Sequence, residues 1–313
     1  MKTILGIDGG GTNTRGLVRR GAQTLAHAQC GSIKRLRVGP EQAAANLRSL
    51  LRDLYSQADI HRLDAASAGI ASASLPGVAE WIEDIFREFH VERFEIVGDE
   101  VIALDAAFHG GPGIFQIAGT GSNCIGRTAT GQQESAGGYS STLGDEGSGY
   151  WIGLHAIRRA LRAFDREQPT RILDEVSALW QTPTLSDLVQ FGNSTPAPDF
   201  AALAPVVARL AEDGDAVAQG VLDQAADDLA DFVLAVREKL RRHPHRQIEI
   251  PVAEISVSEI PVAWTGSVLE KIPRVLDRFT RLLQFAAPGI EVATTATVPL
   301  EGALWRAERL ASQ

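Results

Sequence analysis

The stretch Gly6-Ile7-Asp8-Gly9-Gly10-Gly11-Thr12 carries the first indication of the fold. It ends a short apolar run over residues 4–7, which predicts a buried strand. Three consecutive glycines then interrupt that strand, and an extended pattern resumes over residues 12–18. The glycines therefore predict the turn of a hairpin, and a third extended piece over residues 23–29 completes a predicted meander.

The same pattern returns 110 residues later in the chain. Ile7, Gly9, Gly11, Asn13, Gly16, Gly21 and Gln23 recur as Ile117, Gly119, Gly121, Asn123, Gly126, Gly131 and Gln133. Thr12 becomes Ser122, which keeps a hydroxyl. One interpretation is chance agreement between two glycine-rich hairpins. The other, which we favour, is a pair of α/β domains of common design that each open with such a hairpin and face each other across a cleft.

Length and composition restrict the class of protein. The 313 residues are 44% hydrophobic and 22% charged, which is typical of globular chains. Two cysteines exclude a disulfide scaffold and a four-cysteine metal site within one chain. A net charge of −9 argues against nucleic acid and a polybasic membrane anchor as partners. Without a long apolar run or a signal-like start, the chain is expected in the cytoplasm, away from membranes.

The spacing of apolar residues and the positions of glycine and proline predict the remaining elements. The segment Gly110-Gly111-Pro112-Gly113 predicts a hinge, and with it an N-terminal domain over residues 1–112 and a C-terminal domain over residues 113–299. The last helix, residues 300–313, is expected to pack back on the first domain. Helices are predicted over 40–54, 76–89, 101–108, 146–164 and 200–240, and strands over 65–71, 94–97 and 114–117, with a β-rich stretch over 248–264.

The two glycine turns have the chemistry of anion sites. Glycine lets backbone N–H groups approach an anion without side-chain hindrance, and the hydroxyls of Thr12, Thr120 and Ser122 add donors. Neither turn matches the P-loop pattern or the glycine pattern of dinucleotide-binding folds. An ordinary hairpin turn is the alternative for each. As a matched pair, they favour a polyphosphate held from both sides.

Asp8 has no carboxylate counterpart in the repeat, where Ala118 stands. A carboxylate beside bound phosphates would repel them unless a cation intervenes, and Mg²⁺ commonly takes one or two carboxylates plus phosphate oxygens. Asp8 is therefore the metal candidate. A turn-forming aspartate is the alternative.

Asp99 follows the predicted strand over residues 94–97 and precedes a helix. Two interpretations remain open from this pattern: a helix N-cap, or a general base at the carboxyl end of a strand. Asp145 and Glu146 stand in the glycine-rich segment Gly144-Asp145-Glu146-Gly147-Ser148-Gly149. So flexible a loop is costly to order, which suggests a functional role.

Read together, these motifs resemble a known family. The first turn, the second turn Gly119-Thr120-Gly121-Ser122-Asn123-Cys124, and the segment around Asp145 with the aromatic pair Tyr150-Trp151 are similar to the N-acetylglucosamine kinase branch of the BadF/BadG/BcrA/BcrD ATPase family. Late segments around Gly266-Ser267 and after Pro299 also fit. The resemblance implies an α/β fold, a two-domain actin-like, ribonuclease H-like duplication with a central nucleotide and sugar cleft that closes on its ligands.

The resemblance also implies roles for individual residues. Asp99 would be the catalytic base, which favours that interpretation over the N-cap, and Asp8 would hold Mg²⁺ through water. ATP would contact Gly10, Gly11, Thr12, Thr120, Gly266 and Ser267, with Gly214 a weaker candidate. The sugar would contact Ser122, Asn123, Gly138, Tyr139, Asp145 and Lys34. The implied reaction is ATP-dependent phosphorylation of an amino sugar, normally at its 6-hydroxyl.

The identity of the sugar stays open at this point. N-acetylglucosamine is expected first, with N-acetylmuramic acid and glucosamine as alternatives. Lys34 falls near a sugar-contacting asparagine of the animal enzymes, and Tyr139 replaces a tryptophan. Together with Lys34, Arg35 and Arg37 form either a solvated surface or a site for an anionic group such as a lactyl carboxylate.

Two other functional classes are considered. One is the ATP-driven activator of a reductase or dehydratase, found elsewhere in the same superfamily and built around a shared iron–sulfur cluster. Its own cysteine motifs are absent, and Cys124 lies in a kinase-type turn. The other is a non-catalytic sugar sensor, against which Asp8, Asp99 and both turns argue. Family members are often homodimers, so a homodimer is expected here.

Overall fold

A computed structural model describes residues 1–71, 73, 75–242 and 260–313. The described chain forms two compact units. The first comprises Met1–Phe115, Ile125–Gln133 and Thr297–Gln313, and the second comprises Gln116–Cys124 and Glu134–Ala296. The predicted domain boundary at residue 112 stays a prediction.

Strands and short or long helices alternate along the chain, as expected for the α/β class. The strands are β1 (Thr3–Gly9), β2 (Asn13–Arg20), β3 (Gln23–Gly31), β4 (Ala65–Ile70), β5 (Phe94–Val97), β6 (Gly113–Ala118), β7 (Ser122–Arg127), β8 (Gln133–Gly137) and β9 (Val262–Thr265). The α-helices are α1 (Arg35–Val38), α2 (Pro40–Ala58), α3 (Val78–Glu88), α4 (Asp99–Phe108), α5 (Ser140–Leu143), α6 (Gly149–Asp165), α7 (Ile172–Trp180), α8 (Leu185–Gly192), α9 (Ala204–Glu212), α10 (Ala216–Arg242), α11 (Ser267–Lys271), α12 (Pro273–Ala286) and α13 (Pro299–Ala311). A 3₁₀ helix covers Phe200–Leu203.

The first unit is built on a five-stranded sheet in the order β3-β2-β1-β4-β5. The predicted meander forms its antiparallel part, and β4 and β5 continue it in parallel with β1. Helix α2 buries one face against β2 and β3. Its apolar residues repeat at helical spacing, and Leu47, Leu50, Leu51 and Leu54 are fully buried in the core of this unit.

The second sheet has the order β8-β7-β6-β9, which matches the order β3-β2-β1-β4 of the first. Strand β6 begins 110 residues after β1, at Gly113, and β7 begins at Ser122 beside the position expected from β2. The glycines at residues 119–121 form the turn between them. The predicted repeat of a strand–glycine turn–strand hairpin is therefore confirmed.

The C-terminal helix α13 packs against α4, β1 and β4 within the first unit. A chain of ion pairs around the buried Asp105 anchors it there: Arg306 donates two hydrogen bonds to the half-buried Glu95 and one to Asp105, and Asp105 also accepts one from Arg127 at 2.7 Å. The side chain of Asp105 is almost completely buried. Its two guanidinium partners supply the charge compensation that such burial requires.

Several predicted boundaries are corrected by the residues that cap the helices. Helix α6 begins at Gly149 rather than residue 146, because Ser148 accepts the N–H of Trp151 at 3.1 Å as its N-cap. Helix α3 begins at Val78, after Gly77 in a left-handed conformation. The sequence reading missed α7 and α8. Of the β-rich stretch predicted over 248–264, residues 248–259 lie outside the described residues, and β9 follows them.

Over the described ranges, which omit residues 72, 74 and 243–259, no helix has both the length and the apolar character needed to cross a membrane.

Candidate active site

Asp8 lies at the end of β1, directly before the first glycine turn. In the sheet register it stands between Arg15 of β2 and Gly69 of β4. Burial raises the pKa of the Asp8 carboxyl above that of a free aspartate, and the Arg15 guanidinium partly opposes this rise. A carboxylate held in the sheet rather than in the turn itself differs from the turn-forming aspartates of hairpins.

Asp99 is the first residue of α4, not its N-cap. Gly98 occupies the N-cap position, and no side chain caps this helix. The Gly98 carbonyl accepts the N–H groups of Val101 and Ile102 at 3.0 and 3.4 Å. The N-cap interpretation is therefore wrong, and the helix begins two residues before the predicted start at Val101. Acidic residues in this first turn suit the helix dipole, which favours the earlier start.

Helix packing brings Asp99 near Asp8. Ile102, one turn after Asp99, packs so closely on Gly69 that a Cβ there would lie 2.3 Å from its Cδ1 atom. Gly69 is the register partner of Asp8 in the adjacent strand. Burial raises the pKa of Asp99 well above its ordinary value, and the carboxylates of Glu100 and Asp8 add to the rise. The first unit thus holds two interacting carboxyl groups beside a glycine turn.

The first glycine turn is held from one side by residues 32–37, which lead into α1 and form part of it. The buried Ser32 hydroxyl donates to the Gly11 carbonyl at 3.0 Å. Arg37 Nη1 donates to the same carbonyl at 3.3 Å and to the Thr12 hydroxyl at 3.1 Å. Two side chains therefore donate to the Gly11 carbonyl and fix the turn. One of them, the Arg37 guanidinium, also contacts Thr12.

The three cations of the first-unit loop lie in different surroundings. Arg35 donates to the Gly77 carbonyl at 3.2 Å and lies over the ring of Trp81, 5.9 Å from its centroid. Arg37 lies on the glycine turn. Lys34 precedes α1, and its backbone N–H donates to Ser32 Oγ. Arg35 and Arg37 therefore do not belong to one cationic patch.

The second glycine turn belongs to the second unit and is fixed by the start of α6. The N–H groups of Gly149 and Tyr150 donate to the carbonyls of Gly119 and Thr120 at 2.8 and 3.3 Å. Gly266 approaches the same turn: its φ is +108°, and a Cβ would lie 2.4 Å from the Ala118 carbonyl oxygen. The structure thus brings Thr120 and the Gly266-Ser267 segment together.

Asp145 also lies at the second turn, in a conformation that is unusual for a residue other than glycine. Its φ is +60°, and it accepts a long hydrogen bond of 3.4 Å from the Ser122 N–H. The Ser122 hydroxyl is buried and donates to the Glu146 carbonyl at 2.7 Å, which ties the turn to the Asp145 loop. Left-handed backbone in such a residue is often found at functional sites.

The other predicted sugar contacts cluster beside Ser122. The Gly138 N–H donates to the Ser122 carbonyl at 3.1 Å, and the Asn123 side chain lies against Gly138. Tyr139 follows with 69% of its surface exposed. The second unit therefore assembles Ser122, Asn123, Gly138, Tyr139 and Asp145 within one region. Lys34 belongs to the first unit.

Gly214 stands apart from these groups. It lies in the loop between α9 and α10 with φ +92°, and no described atom comes within 4 Å of the position that a Cβ would take. Its role as a nucleotide contact stays a prediction.

Asp8 fits the requirements of a magnesium ligand better than those of an all-protein metal centre. Asp8 is half-buried beside the glycine turn, and its charge contributes to the raised pKa of Asp99. In the part of the chain that the structure describes, no group of three or more His, Cys, Asp or Glu side chains is arranged to hold a metal ion. Mg²⁺ bound through one or two carboxylates and phosphate oxygens suits this donor set.

The sequence reading missed three groups of the first-unit site. Glu100 hydrogen-bonds to Asp99, Arg15 is the register partner of Asp8 in β2, and Arg37 donates to the Thr12 hydroxyl. The neighbouring acids Asp99 and Glu100 could have indicated from the sequence that Glu100 belongs to the site. The position of Arg37 depends on how the loop folds back and leaves no local pattern.

The comparison with known proteins is consistent with this geometry. Residues 5–304 match the BadF/BadG/BcrA/BcrD ATPase family. The chain belongs to this family. The predicted membership is thus confirmed over nearly the whole chain.

Two curated relatives match along nearly their full length. An N-acetylmuramic acid/N-acetylglucosamine kinase of Clostridium acetobutylicum is 27% identical over 93% of this chain and 94% of its own. An N-acetyl-D-glucosamine kinase of Dictyostelium discoideum is 26% identical over 96% of both chains.

A solved structure from Chromobacterium violaceum, provisionally named as an N-acetylglucosamine kinase, superposes with a TM-score of 0.73. The two sequences are 25% identical, and the alignment covers 97% of this chain and 98% of the other. With the repeated sheet order, this likeness confirms the predicted α/β, actin-like class of fold.

Proposed function

We propose that this member of the family is an ATP-dependent kinase that phosphorylates the 6-hydroxyl of an amino sugar, with N-acetylglucosamine as the first candidate. The observation that carries the proposal is the pair of interacting carboxyl groups, Asp8 and Asp99, beside a glycine turn. The activities named for two full-length relatives support the same class.

In the proposed reaction, Asp99 accepts the proton of the sugar hydroxyl as its oxygen attacks the terminal phosphorus of ATP. The bond from that phosphorus to the bridging oxygen breaks, and ADP leaves with the electron pair. The products are ADP, the sugar 6-phosphate and a proton. Positioning of this kind is the main contribution of a protein to phosphoryl transfer.

The raised pKa of Asp99 supports its role as the proton acceptor. A carboxylate with an ordinary pKa is a weak base, and burial beside other acids makes it a better one. Asp8 would hold Mg²⁺, which when bound would neutralise phosphate charge. Gly10, Gly11 and Thr12 would hydrogen-bond phosphate oxygens.

In the second unit, Thr120 would bind phosphate, and Gly266 and Ser267 would bind the adenosine side of ATP. Asp145, Asn123, Gly138 and Tyr139 would bind the sugar. Because the Ser122 hydroxyl is already engaged with the Glu146 carbonyl, we propose that Ser122 mainly orients the Asp145 loop.

N-acetylmuramic acid and glucosamine remain the alternatives for the sugar. The contacts of Arg35 with Gly77 and of Arg37 with Thr12 leave Lys34 as the cation of this loop to test against a lactyl carboxylate. One curated relative is named for both N-acetylmuramic acid and N-acetylglucosamine, which supports including both in any panel.

The test is ADP release from Mg-ATP with N-acetylglucosamine, N-acetylmuramic acid, glucosamine, glucose and no sugar. The proposal predicts turnover with one or more amino sugars and little with glucose or the blank. ADP release independent of sugar, or no release with any sugar, would refute it. A preference for N-acetylmuramic acid that Lys34→Ala abolishes would assign that substrate.

The expected homodimer and the expected cytoplasmic location are further parts of this proposal. Light scattering tests the first: a homodimer has twice the 33.5 kDa mass of one chain. Cell fractionation tests the second.

A further inference from the structure

The guanidinium of Arg37 lies on the first glycine turn and is only partly used there. Nη1 makes both of its hydrogen bonds, to the Gly11 carbonyl and the Thr12 hydroxyl. Within the described residues, Nε and Nη2 donate to no other group. An arginine has five N–H donors, so three remain to bind a ligand.

The segment that carries Arg37 is fixed on its own side of the turn. Ser32, which is buried, donates to Gly11 and accepts the Lys34 N–H at 3.1 Å. Asn46 of α2 donates to the Ser32 carbonyl at 2.8 Å. The arginine is thus presented from an anchored loop, which lowers the entropy that it loses on binding a ligand.

The ligand chemistry follows from what surrounds this turn. Asp8 directly precedes the turn, and helix α4, which begins at Asp99, packs on Gly69, the register partner of Asp8. If Asp99 takes the proton of the attacking hydroxyl, the phosphoryl group beside it is the terminal one. A planar guanidinium matches two oxygens of a phosphoryl group, and it remains charged at any physiological pH.

We propose that Arg37 is a catalytic residue that hydrogen-bonds the terminal phosphoryl group of ATP and stabilises its charge during transfer. This inference rests on the proposed function. Arg37 takes no proton and forms no covalent bond: the phosphorus–oxygen bond to ADP breaks, the bond to the sugar oxygen forms, and the proton goes to Asp99. Arg37 is thereby assigned to phosphate rather than to an anionic group of the sugar.

The test compares Arg37→Ala with Arg37→Lys, and with Arg35→Ala as a matched control from the same loop. Removing a donor to a developing charge lowers kcat on the order of 10²-fold, and we expect this for Arg37→Ala. Arg37→Lys should retain part of the rate, and free guanidinium should raise the rate of Arg37→Ala. We expect Arg35→Ala to keep a kcat near that of the wild type. This result would exclude the possibility that any substitution in the loop lowers kcat.

A binding measurement distinguishes failure of this inference from failure of the kinase proposal. Calorimetry should show that Arg37→Ala weakens ATP binding while ADP binding is unchanged, because only ATP carries the terminal phosphoryl group. Equal ATP affinity in the two proteins, together with a kcat within about threefold of the wild type, would overturn the inference. If the wild type phosphorylates no sugar, the kinase proposal fails, and the ATP-to-ADP comparison still decides the role of Arg37.

Discussion

At the scale of single residues, the first-unit site combines groups that would repel one another without a ligand. Asp8, Asp99 and Glu100 are three acids whose interactions raise the pKa of Asp99. The charge of Arg15 acts on Asp8, and Arg37 contacts the turn. Such a concentration of acid is costly in a folded protein and is typical of functional sites.

Gly266 offers a residue-scale prediction for the second unit. Gly266→Ala places a methyl group 2.4 Å from the Ala118 carbonyl oxygen and strains a positive φ. We expect a loss of more than about 2 kcal/mol in unfolding free energy and weaker ATP binding, because the second turn must move. Chemical unfolding and calorimetry measure the two effects.

Gly289→Ala is the matched control for Gly266. Its φ is +92°, and no described atom lies within 4 Å of the added methyl group, so only the backbone strain remains. We expect a cost of roughly 1 kcal/mol and unchanged ATP affinity. Equal losses in the two variants would show that close approach to the turn is unimportant.

At the scale of elements, the ion pairs around the buried Asp105 join α13 and α4 within the first unit. Arg306→Ala removes the guanidinium partner of Glu95, which keeps the Ser67 hydroxyl, and one of the two guanidinium partners of Asp105. Because a buried carboxylate is left without full compensation, we expect a loss of about 3 kcal/mol in unfolding free energy. Urea unfolding followed by circular dichroism is the measurement.

Arg19→Ala serves as the control, because Arg19 pairs with Glu301 of the same helix at the surface. An exposed pair contributes about 1 kcal/mol or less. If the two variants lost the same unfolding free energy, the burial of Asp105 would add nothing to the importance of its ion pair with Arg306.

Asp215 directly precedes helix α10, and its carboxylate accepts hydrogen bonds from the N–H groups of Val217, Ala218 and Arg171. Burial alone would raise the pKa of Asp215, but these bonds outweigh it and lower the pKa below 3.8. The stabilisation is therefore complete above the unfolded-state pKa and is lost as the pH falls through the folded-state value.

Asp215→Asn should accordingly destabilise the protein most at neutral pH. Its deficit against the wild type should shrink as the pH falls below about 4. Unfolding free energies across this pH range measure the deficit, with Asp213→Asn as an exposed control. A deficit that stays constant with pH would contradict the assignment.

The elements show which parts of the fold could be predicted locally. Strand β5 and the two glycine hairpins were predicted because their apolar runs and breaks are contiguous in sequence. The starts of α4 and α6 were missed because Gly98 and Ser148, not the acids beside them, are the cap residues. Helices α7 and α8 were missed within a stretch for which no element had been predicted.

At the scale of the whole molecule, the site depends on contacts between distant segments. Asp8 and Asp99 could each be singled out as candidates, but their proximity depends on the β1–β4 register and on the packing of α4 against Gly69. Arg37 meets Thr12 only because the loop folds back. Long-range arrangements of this kind leave no periodic signal in one sequence.

The iron–sulfur activator makes a different whole-molecule prediction from the kinase. Cys124 is completely buried, and burial raises the pKa of its thiol, so it does not present a thiolate to a shared cluster. We expect the purified protein to be colourless, to contain no stoichiometric iron and to keep its activity in air. If elemental analysis found bound iron, and if ATP hydrolysis were lost in air, these results would support the activator instead.

The central claim is that Asp99 accepts the proton while the terminal phosphoryl group of ATP passes to an amino sugar. Phosphorus NMR of the reaction with N-acetylglucosamine, in the wild type and in Asp99→Asn, tests it most directly. We predict ADP and a sugar phosphate monoester from the wild type, and a rate lower by about 10²–10⁴-fold in Asp99→Asn with ATP and sugar affinities retained. A variant that forms the same product within a few-fold of the wild-type rate would contradict the account.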